Sequence, residues 1–508
     1  MSSASRSAVE LLREALAYVD TWLDYRLWKL RTPGAQVAVW FGGTLQLSKA
    51  YGVANIDTRE PLTTAHLFRI ASHSKTFTAT AIMQLSEAGN LRLDDTAGSW
   101  LPALSEAGSP LAAATVRQLV AHSAGVRRDG VDATYWALNR PFPDEAALLE
   151  LALREGAVRQ PDATFKYTNL GYALLGLIVG KAAGSTYTEY VKTAIIGKLG
   201  LRNTGPDLNE ARRPEYAGGH SGLSSWTERQ VIPHVDTQAM AAATGFYSTA
   251  EELVQFASAH FFGDARLLSD RSKSEMQRPV WTGLSAGAPQ DGYGYGTTVR
   301  HYDGHRMVGH AGGYPGHSTR TMWDPHEGLA IAVLTNAIDG PAEELAAGIV
   351  KLLDKARAVE PKVPLSSGLV NSAALRPPAP SGQEIELGSF TGRFAGLWGV
   401  TDVFILGGKL FAGSPVTPSP MEEPIELGVI DENTLRIMSG SPYGSVGELF
   451  RFERDANGKV VSLFTGGMQT WPIEEYRTRG HVLETGPQAA RPGSAAEQGP
   501  EVKHSLRQ

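Results

Sequence analysis

Phe68-Arg69-Ile70-Ala71-Ser72-His73-Ser74-Lys75, running into Thr76-Phe77-Thr78-Ala79-Thr80-Ala81-Ile82-Met83-Gln84-Leu85-Ser86-Glu87-Ala88, decides how this chain is read. It contains the only Ser-x-x-Lys of the 508 residues. From Ser74 onward the spacing predicts a helix. Phe77, Ala81, Ile82, Leu85 and Ala88 recur at helical intervals, and Gly89 is a stop signal. Residues three apart share a helix face, so Ser72 and Lys75 are placed to touch. A serine hydroxyl needs a base beside it to become a nucleophile. A lysine amine supplies one when burial or a nearby cation lowers its pKa. The free N–H groups of a helix N-terminus can hold an oxyanion. Chance alone supplies about one or two such spacings in a chain this long, so the motif counts only in company.

Two further motifs supply that company. Tyr167-Thr168-Asn169 is the only Tyr-x-Asn, set in a polar turn before the apolar run Ala173–Val179. A phenol near a cation can relay a proton, and an amide can orient a carbonyl or the lysine. The blander reading is a packed tyrosine with Asn169 at the start of the next helix. Two His-x-Gly triplets are weighed, His220-Ser221-Gly222 and His310-Ala311-Gly312. The second lies between the strand-like Tyr295–His301 and Ser318–Trp323, where glycines let a substrate backbone approach. His220 sits in a Gly/Ser-rich stretch without flanking strands, so a surface or structural role is expected.

Ser-x-x-Lys, then Tyr-x-Asn, then Lys/His-x-Gly on a strand resembles the serine β-lactamase and penicillin-binding-protein superfamily. The class C-like branch, with its esterases and D-aminopeptidases, is the nearest in pattern. Supporting stretches are Pro33–Val39, Leu93-Asp94-Asp95, Thr115–Gly125 and Gly245–Leu253. The resemblance covers roughly residues 30 to 355 and implies an α+β fold, an antiparallel sheet with a helical lobe. It implies Ser72 as acylated nucleophile, with Lys75 and Tyr167 as the proton-transfer pair. Asn169 would hold the substrate carbonyl. Gly312 and Gly313 would line the substrate, with the N–H groups of Ser72 and Gly313 forming the oxyanion hole. His310 would replace the usual lysine, which disfavours β-lactams because a neutral imidazole holds a carboxylate less well than an ammonium does.

Composition narrows the partners. A net charge of −6 and no basic run argue against nucleic acid. No segment is apolar enough to span a membrane. With no cysteine, disulfides, Cys-zinc sites and thiol catalysis are excluded. The histidines show no zinc spacing, so no metal or other cofactor is expected. Met1–Lys29 lacks the layout of a secretory signal, and cytoplasmic residence is expected. Instead Leu11, Leu12, Leu16, Val19, Trp22, Leu23 and Leu27 follow helical spacing.

Ala35–Phe41, Gly42-Gly43 and Thr44–Tyr51 read as a hairpin. Residues 70–265 read as mostly helical, strands return at 295–335, and a helix follows at Pro341–Arg357. Strands at both ends form one antiparallel sheet with a helical lobe inserted. The expected division is a hydrolase domain at 1–358, a proline-rich linker at 359–381, a barrel at 382–483 and a disordered tail at 484–508. The barrel reads from short runs with turns, among them Asp455-Ala456-Asn457-Gly458, and is similar to the lipocalin-like domain of some D-aminopeptidases. It is expected to restrict substrate size, with Ala395–Gly399 reaching the cleft rim. The function expected is a serine hydrolase acting on a small amide or short peptide, D-configured by preference. The rivals are a carboxylic-ester hydrolase, a β-lactamase or D,D-peptidase, and a silent binding protein.

Overall fold

The computed structural model describes residues 8–478, apart from 131–132, 139, 156–158, 224–227, 285–287, 303, 359–384, 397–398, 416–424, 440–447 and 466–467. The linker, the tail and the centre of the Ala395–Gly399 turn therefore lie outside the described residues.

The hairpin forms as its sequence requires. Strands β1 (Gly34–Phe41) and β2 (Thr44–Gly52) are joined by Gly42 and Gly43, with φ of 60° and 80°. Two consecutive positive φ values are the demand of a tight type I′ turn. The remaining strands come from the far end of the catalytic unit: β3 (Trp281–Thr282), β4 (Gly292–Tyr293), β5 (Thr298–Tyr302), β6 (His305–Tyr314), β7 (His317–Asp324) and β8 (Leu329–Thr335). The sheet order is β2-β1-β8-β7-β6-β5-β4-β3, so the chain termini of this unit meet at β1 and β8. That pair is antiparallel, with Val37 opposite Val333.

Alternation assigns the two faces. Ala35, Val37, Val39, Met307, Met322, Leu329, Ile331 and Val333 pack with helices α1 (Ala8–Lys29) and α5 (Ala342–Ala358). Ala38, Val308, Trp323, Ala330, Ala332 and Leu334 pack with the helical lobe. At its centre runs α2 (Ser74–Glu87). The periodicity predicts an amphipathic helix, but α2 is buried on every side from Ser74 to Met83, while Ala88 is exposed. Its hydroxyls make this workable. Thr76 donates to the Gly296 carbonyl at 2.7 Å, and Thr78 to the Ala242 carbonyl at 2.7 Å. Phe77 is stacked on Phe246 and Phe256, with centroids at 4.4 and 3.8 Å. Truncating such a buried ring costs about 3–5 kcal/mol.

The C-terminal strands close into an eight-stranded antiparallel barrel, sealed by Phe394 opposite Pro472. Seven of its strands fall on the short runs read from sequence, at 388–394, 401–406, 409–412, 425–430, 434–438, 448–453 and 459–465; Met468–Pro472 is the one missed. Gly458, at φ 79°, makes the expected hairpin turn, and Asp455 and Lys459 close it. The barrel docks on α1. Tyr18 is stacked on Phe404 at 3.7 Å and donates to Asp402 at 3.0 Å. Arg393 grips Asp402 through both oxygens, at 2.7 and 2.9 Å. Since α1 covers the sheet face opposite the helical lobe, this docking puts the barrel behind the sheet. The expectation that it narrows the cleft rim finds no support in that placement.

Candidate active site

Ser72 lies in a single 3₁₀ turn, Ala71–His73, immediately before α2. Ala71 has φ 47°, a left-handed conformation uncommon for a residue with a side chain. Ser72 is half-buried, whereas Lys75, one turn on, is fully buried. Lys75 Nζ lies 3.2 Å from Ser72 Oγ, 2.7 Å from Asn169 Oδ1 and 2.8 Å from the Ala243 carbonyl. Burial pushes the amine well below the usual lysine range, opposed by Asp129.

Tyr167-Thr168-Asn169 ends a loop and starts α3 (Asn169–Ala183). Thr168 caps that helix by accepting from the Gly171 N–H at 2.9 Å. The cap is Thr168 rather than Asn169, which frees the asparagine amide for the site. Asn169 Nδ2 donates to Asp129 Oδ1 at 2.7 Å, which fixes Oδ1 toward Lys75. Trp136 Nε1 donates to the same Asp129 oxygen at 3.0 Å, and Arg128 sits 3.2 Å from the other. Burial raises the pKa of the Tyr167 phenol above the usual phenol range, opposed by the nearby Ser72 side chain. The Lys75 ammonium position lies 4.8 Å from the centre of the Tyr167 ring.

His310 is on β6, beside the Ser72 turn. Its Nδ1 lies 2.6 Å from the Ala311 carbonyl and must donate to it, so Nε2 accepts from the Tyr293 hydroxyl at 3.1 Å. Burial holds it well below the ordinary histidine pKa. It is a neutral acceptor in this site, not a cation. Gly312 is needed for close approach, because a Cβ there would fall 2.2 Å from the Ile70 carbonyl. At Gly313 a Cβ would meet nothing within 4 Å, so this end of the strand faces open space. Ser72, Lys75, Tyr167 and Asn169 thus meet directly, with His310 and its glycines on the adjoining strand.

His220 is elsewhere, in the structural one of its two expected roles, though on a short strand rather than in a surface loop. It is fully buried and belongs to a short strand, Gly219–His220, paired with Val231–Ile232. Its Nδ1 donates to the Asn336 carbonyl at 2.6 Å, and Nε2 accepts from the Ile56 N–H at 3.2 Å. It is a structural clamp between the hairpin and β8. Replacing it with alanine leaves the buried Asn336 carbonyl without this partner, a cost of about 1–3 kcal/mol.

Sequence reasoning missed Asp129, Tyr293 and the Ala243 carbonyl. Tyr293 stood in plain view in the glycine-rich Gly292–Gly296 run, whose strand character was the available signal. Among the described residues, His305, Asp324 and Glu327 bring metal-type donor atoms within 4.8 Å of one another. His305, at the other end of β6 from His310, is already held by Asp324 at 2.9 Å and Asp354 at 2.8 Å. Among the described residues, no helix is long and apolar enough to cross a membrane.

The Beta-lactamase family profile matches residues 17–354. The chain is 30% identical over 296 residues to penicillin-binding protein 4* of Bacillus subtilis, covering 55% of this chain and 62% of that protein. It is 30% identical over 322 residues to penicillin-binding protein 4 of Amycolatopsis lactamdurans, covering 60% of this chain and 81% of that one. The octameric penicillin-binding protein homologue from Pyrococcus abyssi aligns with TM-score 0.60 at 22% identity, over 90% of this chain and 99% of its own. D-amino acid amidase from Ochrobactrum anthropi SV3 aligns with TM-score 0.57 at 23% identity, over 68% and 99%. EstCE1, a hydrolase with promiscuous acyltransferase activity, aligns with TM-score 0.58 at 20% identity, over 67% and 99%. These three structures share the fold. With the family profile spanning most of the chain, the protein belongs to the Beta-lactamase family.

Proposed function

We propose that the protein cleaves a small amide or short peptide containing a D-amino acid through an acyl-enzyme on Ser72. One observation carries the reading: the set of contacts around Lys75. A neutral amine has two hydrogens and one lone pair. The Asn169 oxygen and the Ala243 carbonyl, at 2.7 and 2.8 Å, take the two hydrogens. The lone pair is left for the Ser72 hydroxyl at 3.2 Å.

Lys75 takes the Ser72 proton as Oγ attacks the scissile carbonyl carbon. The carbonyl π pair moves onto oxygen, which the N–H groups of Ser72 and Gly313 receive. Tyr167 stays protonated across the working pH range because its pKa is raised. It donates its proton to the leaving nitrogen as the C–N bond breaks, and Lys75 returns a proton to the phenolate. Water then attacks the acyl-enzyme by the reverse relay, releasing the acid and restoring Ser72. Asn169 holds the amide beside the scissile bond while Asp129 keeps it oriented. The D-amino acid preference draws on the fold shared with a D-amino acid amidase. The neutral His310 speaks against a β-lactam carboxylate as the usual ligand.

The test is a rate ranking over D- and L-amino-acid p-nitroanilides, p-nitrophenyl esters and a chromogenic cephalosporin, with mass spectrometry of the trapped enzyme. Fastest turnover of a D-anilide with mass added at Ser72 supports the reading. Ester turnover without amide turnover makes the protein an esterase of the same mechanism. Labelling at another serine overturns the site.

A further inference from the structure

The stretch Thr115–Gly125 carries part of the family pattern without a role in the chemistry above. At its end, His122 is fully buried and has φ 57°, in the left-handed region. Its backbone oxygen accepts from the Lys166 N–H at 2.9 Å. Its Nδ1 accepts from the Thr168 N–H at 3.2 Å. The N–H groups of the residues on either side of Tyr167 are therefore both tied to one residue, once through its backbone and once through its side chain. Its ring also packs on the Tyr167 ring, with centroids 4.3 Å apart and planes at 39°.

We infer that His122 is a positioning residue, holding the Tyr167 phenol beside Ser72; this rests on the acyl-enzyme reading above.

The tautomer follows from the contacts. A backbone N–H can only donate, so Nδ1 accepts and the proton of the neutral ring is on Nε2. Nε2 is buried without a hydrogen-bond partner. It is enclosed by the rings of Tyr172 and Tyr293, with centroids at 5.0 and 4.8 Å, and by the edge-on ring of Phe165 at 5.6 Å. Burial keeps the imidazole neutral and a weak base, so it does not compete with Lys75 for the serine proton. A residue that moved protons would need a partner at Nε2. One that shapes a loop needs only a flat ring and an acceptor at Nδ1, and His122 presents both. The neighbouring residues extend the brace. Ser123 Oγ accepts from Trp281 Nε1 at 3.1 Å, and the Val120 carbonyl accepts from the Tyr172 hydroxyl at 2.6 Å. The loop under Tyr167 is thereby pinned to the sheet edge and to α3.

Two substitutions separate ring from acceptor. His122→Phe keeps a ring and leaves the Thr168 N–H unpaired. His122→Asn keeps an oxygen near the Nδ1 position, tolerates the left-handed backbone and loses the ring. Full-length variants are compared by pre-steady-state acylation with p-nitrophenyl acetate, with thermal melting measured alongside. Each variant is expected to acylate Ser72 about 10- to 100-fold more slowly at saturation, with apparent binding within about threefold of wild type. Because His122 acts through Tyr167, His122→Asn combined with Tyr167→Phe should be no slower than Tyr167→Phe alone. A folded variant of either kind with the wild-type acylation rate overturns the inference, as do losses that multiply in the double variant. Failure of the wild-type protein to acylate at Ser72 overturns the hydrolase reading instead, so the two failures are distinguishable.

Discussion

The two faces of the central sheet are built differently. Toward the helical lobe the sheet offers small residues, Ala38, Ala330 and Ala332, beside Val308 and Trp323. This lets α2 and its neighbours lie close and stack polar groups in a dry interior. Toward α1 and α5 it offers Val37, Val39, Leu329, Ile331 and Val333, an aliphatic floor with no reacting group. Beyond α1 the barrel adds a concentrated polar contact, Tyr18, Arg393 and Asp402, joined by bonds from Arg393 to the Thr21 carbonyl and from the Gly408 N–H to Glu14. Buried polar groups thus serve chemistry on one face and docking specificity on the other. The sheet between them should let each be broken without the other.

The largest effect belongs to the lobe face. Lys75→Ala should lower turnover by about a thousandfold or more, since it removes the base from a coupled unit. Wild-type kcat/KM should rise as Lys75 loses its proton, at a pH below the ordinary lysine value. Its plateau should not fall with Tyr167 ionisation in the usual phenol range, because both pKa values are displaced by burial. Stability carries the same sign. The unfolded chain holds a proton that the buried amine gives up, so this group makes stability rise with pH up to the unfolded lysine value. Urea titrations of wild type and Lys75→Met across pH 7 to 10 should show that slope reduced in the variant. An unchanged rate for folded Lys75→Ala would remove lysine from the mechanism.

How much of this could be read from the chain follows a physical line. Ser72 and Lys75 were legible because helical spacing brings them together, and the hairpin because Gly42-Gly43 has one natural geometry. The position of Asn169 beside Lys75, 94 residues away, depended on the family pattern rather than on local propensity. Asp129 was not legible: it reaches Asn169 across 40 residues, from a loop with no periodicity. The Ala243 carbonyl was invisible in principle, since any residue supplies one. The all-round burial of α2 was hidden because threonines look polar until their hydroxyls find carbonyls. The burial of His220 was hidden for a related reason: the glycines and serines around it read as a polar loop, but they permit close packing, and a Cβ on Gly316 would fall 2.5 Å from the Gly219 Cα.

The intermediate effect belongs to the barrel face. Asp402→Ala leaves Arg393 buried without its carboxylate, and Tyr18 without its acceptor. Breaking one side of a buried ion pair costs about 3–5 kcal/mol. The loss should appear in chemical denaturation, while Ser72 acylation by p-nitrophenyl acetate stays within about twofold in buffer. A parallel drop in acylation for the folded variant would mean that the sheet transmits strain between its faces.

The smallest effect tests the strand both regions share. β6 begins at His305 and carries His310 further along. His305 bridges Asp324 on β7 and Asp354 on α5, with Glu327 close by. The hydrogen bond to Asp324, then that to Asp354, raises its pKa to about 10. A raised histidine stabilises the folded state fully below its unfolded value of about 6.5. That contribution declines above this value and is lost as pH rises through about 10. Urea midpoints of wild type should therefore fall between pH 6 and 10 more steeply than those of His305→Gln, whose side chain does not titrate. Acylation at Ser72 should be equal in the two proteins at pH 7. If the two stability curves run parallel, the clasp holds β6 to α5 without its charge. If the acylation rates diverge, the far end of β6 reaches the chemistry after all, and the separation of the faces fails along this strand.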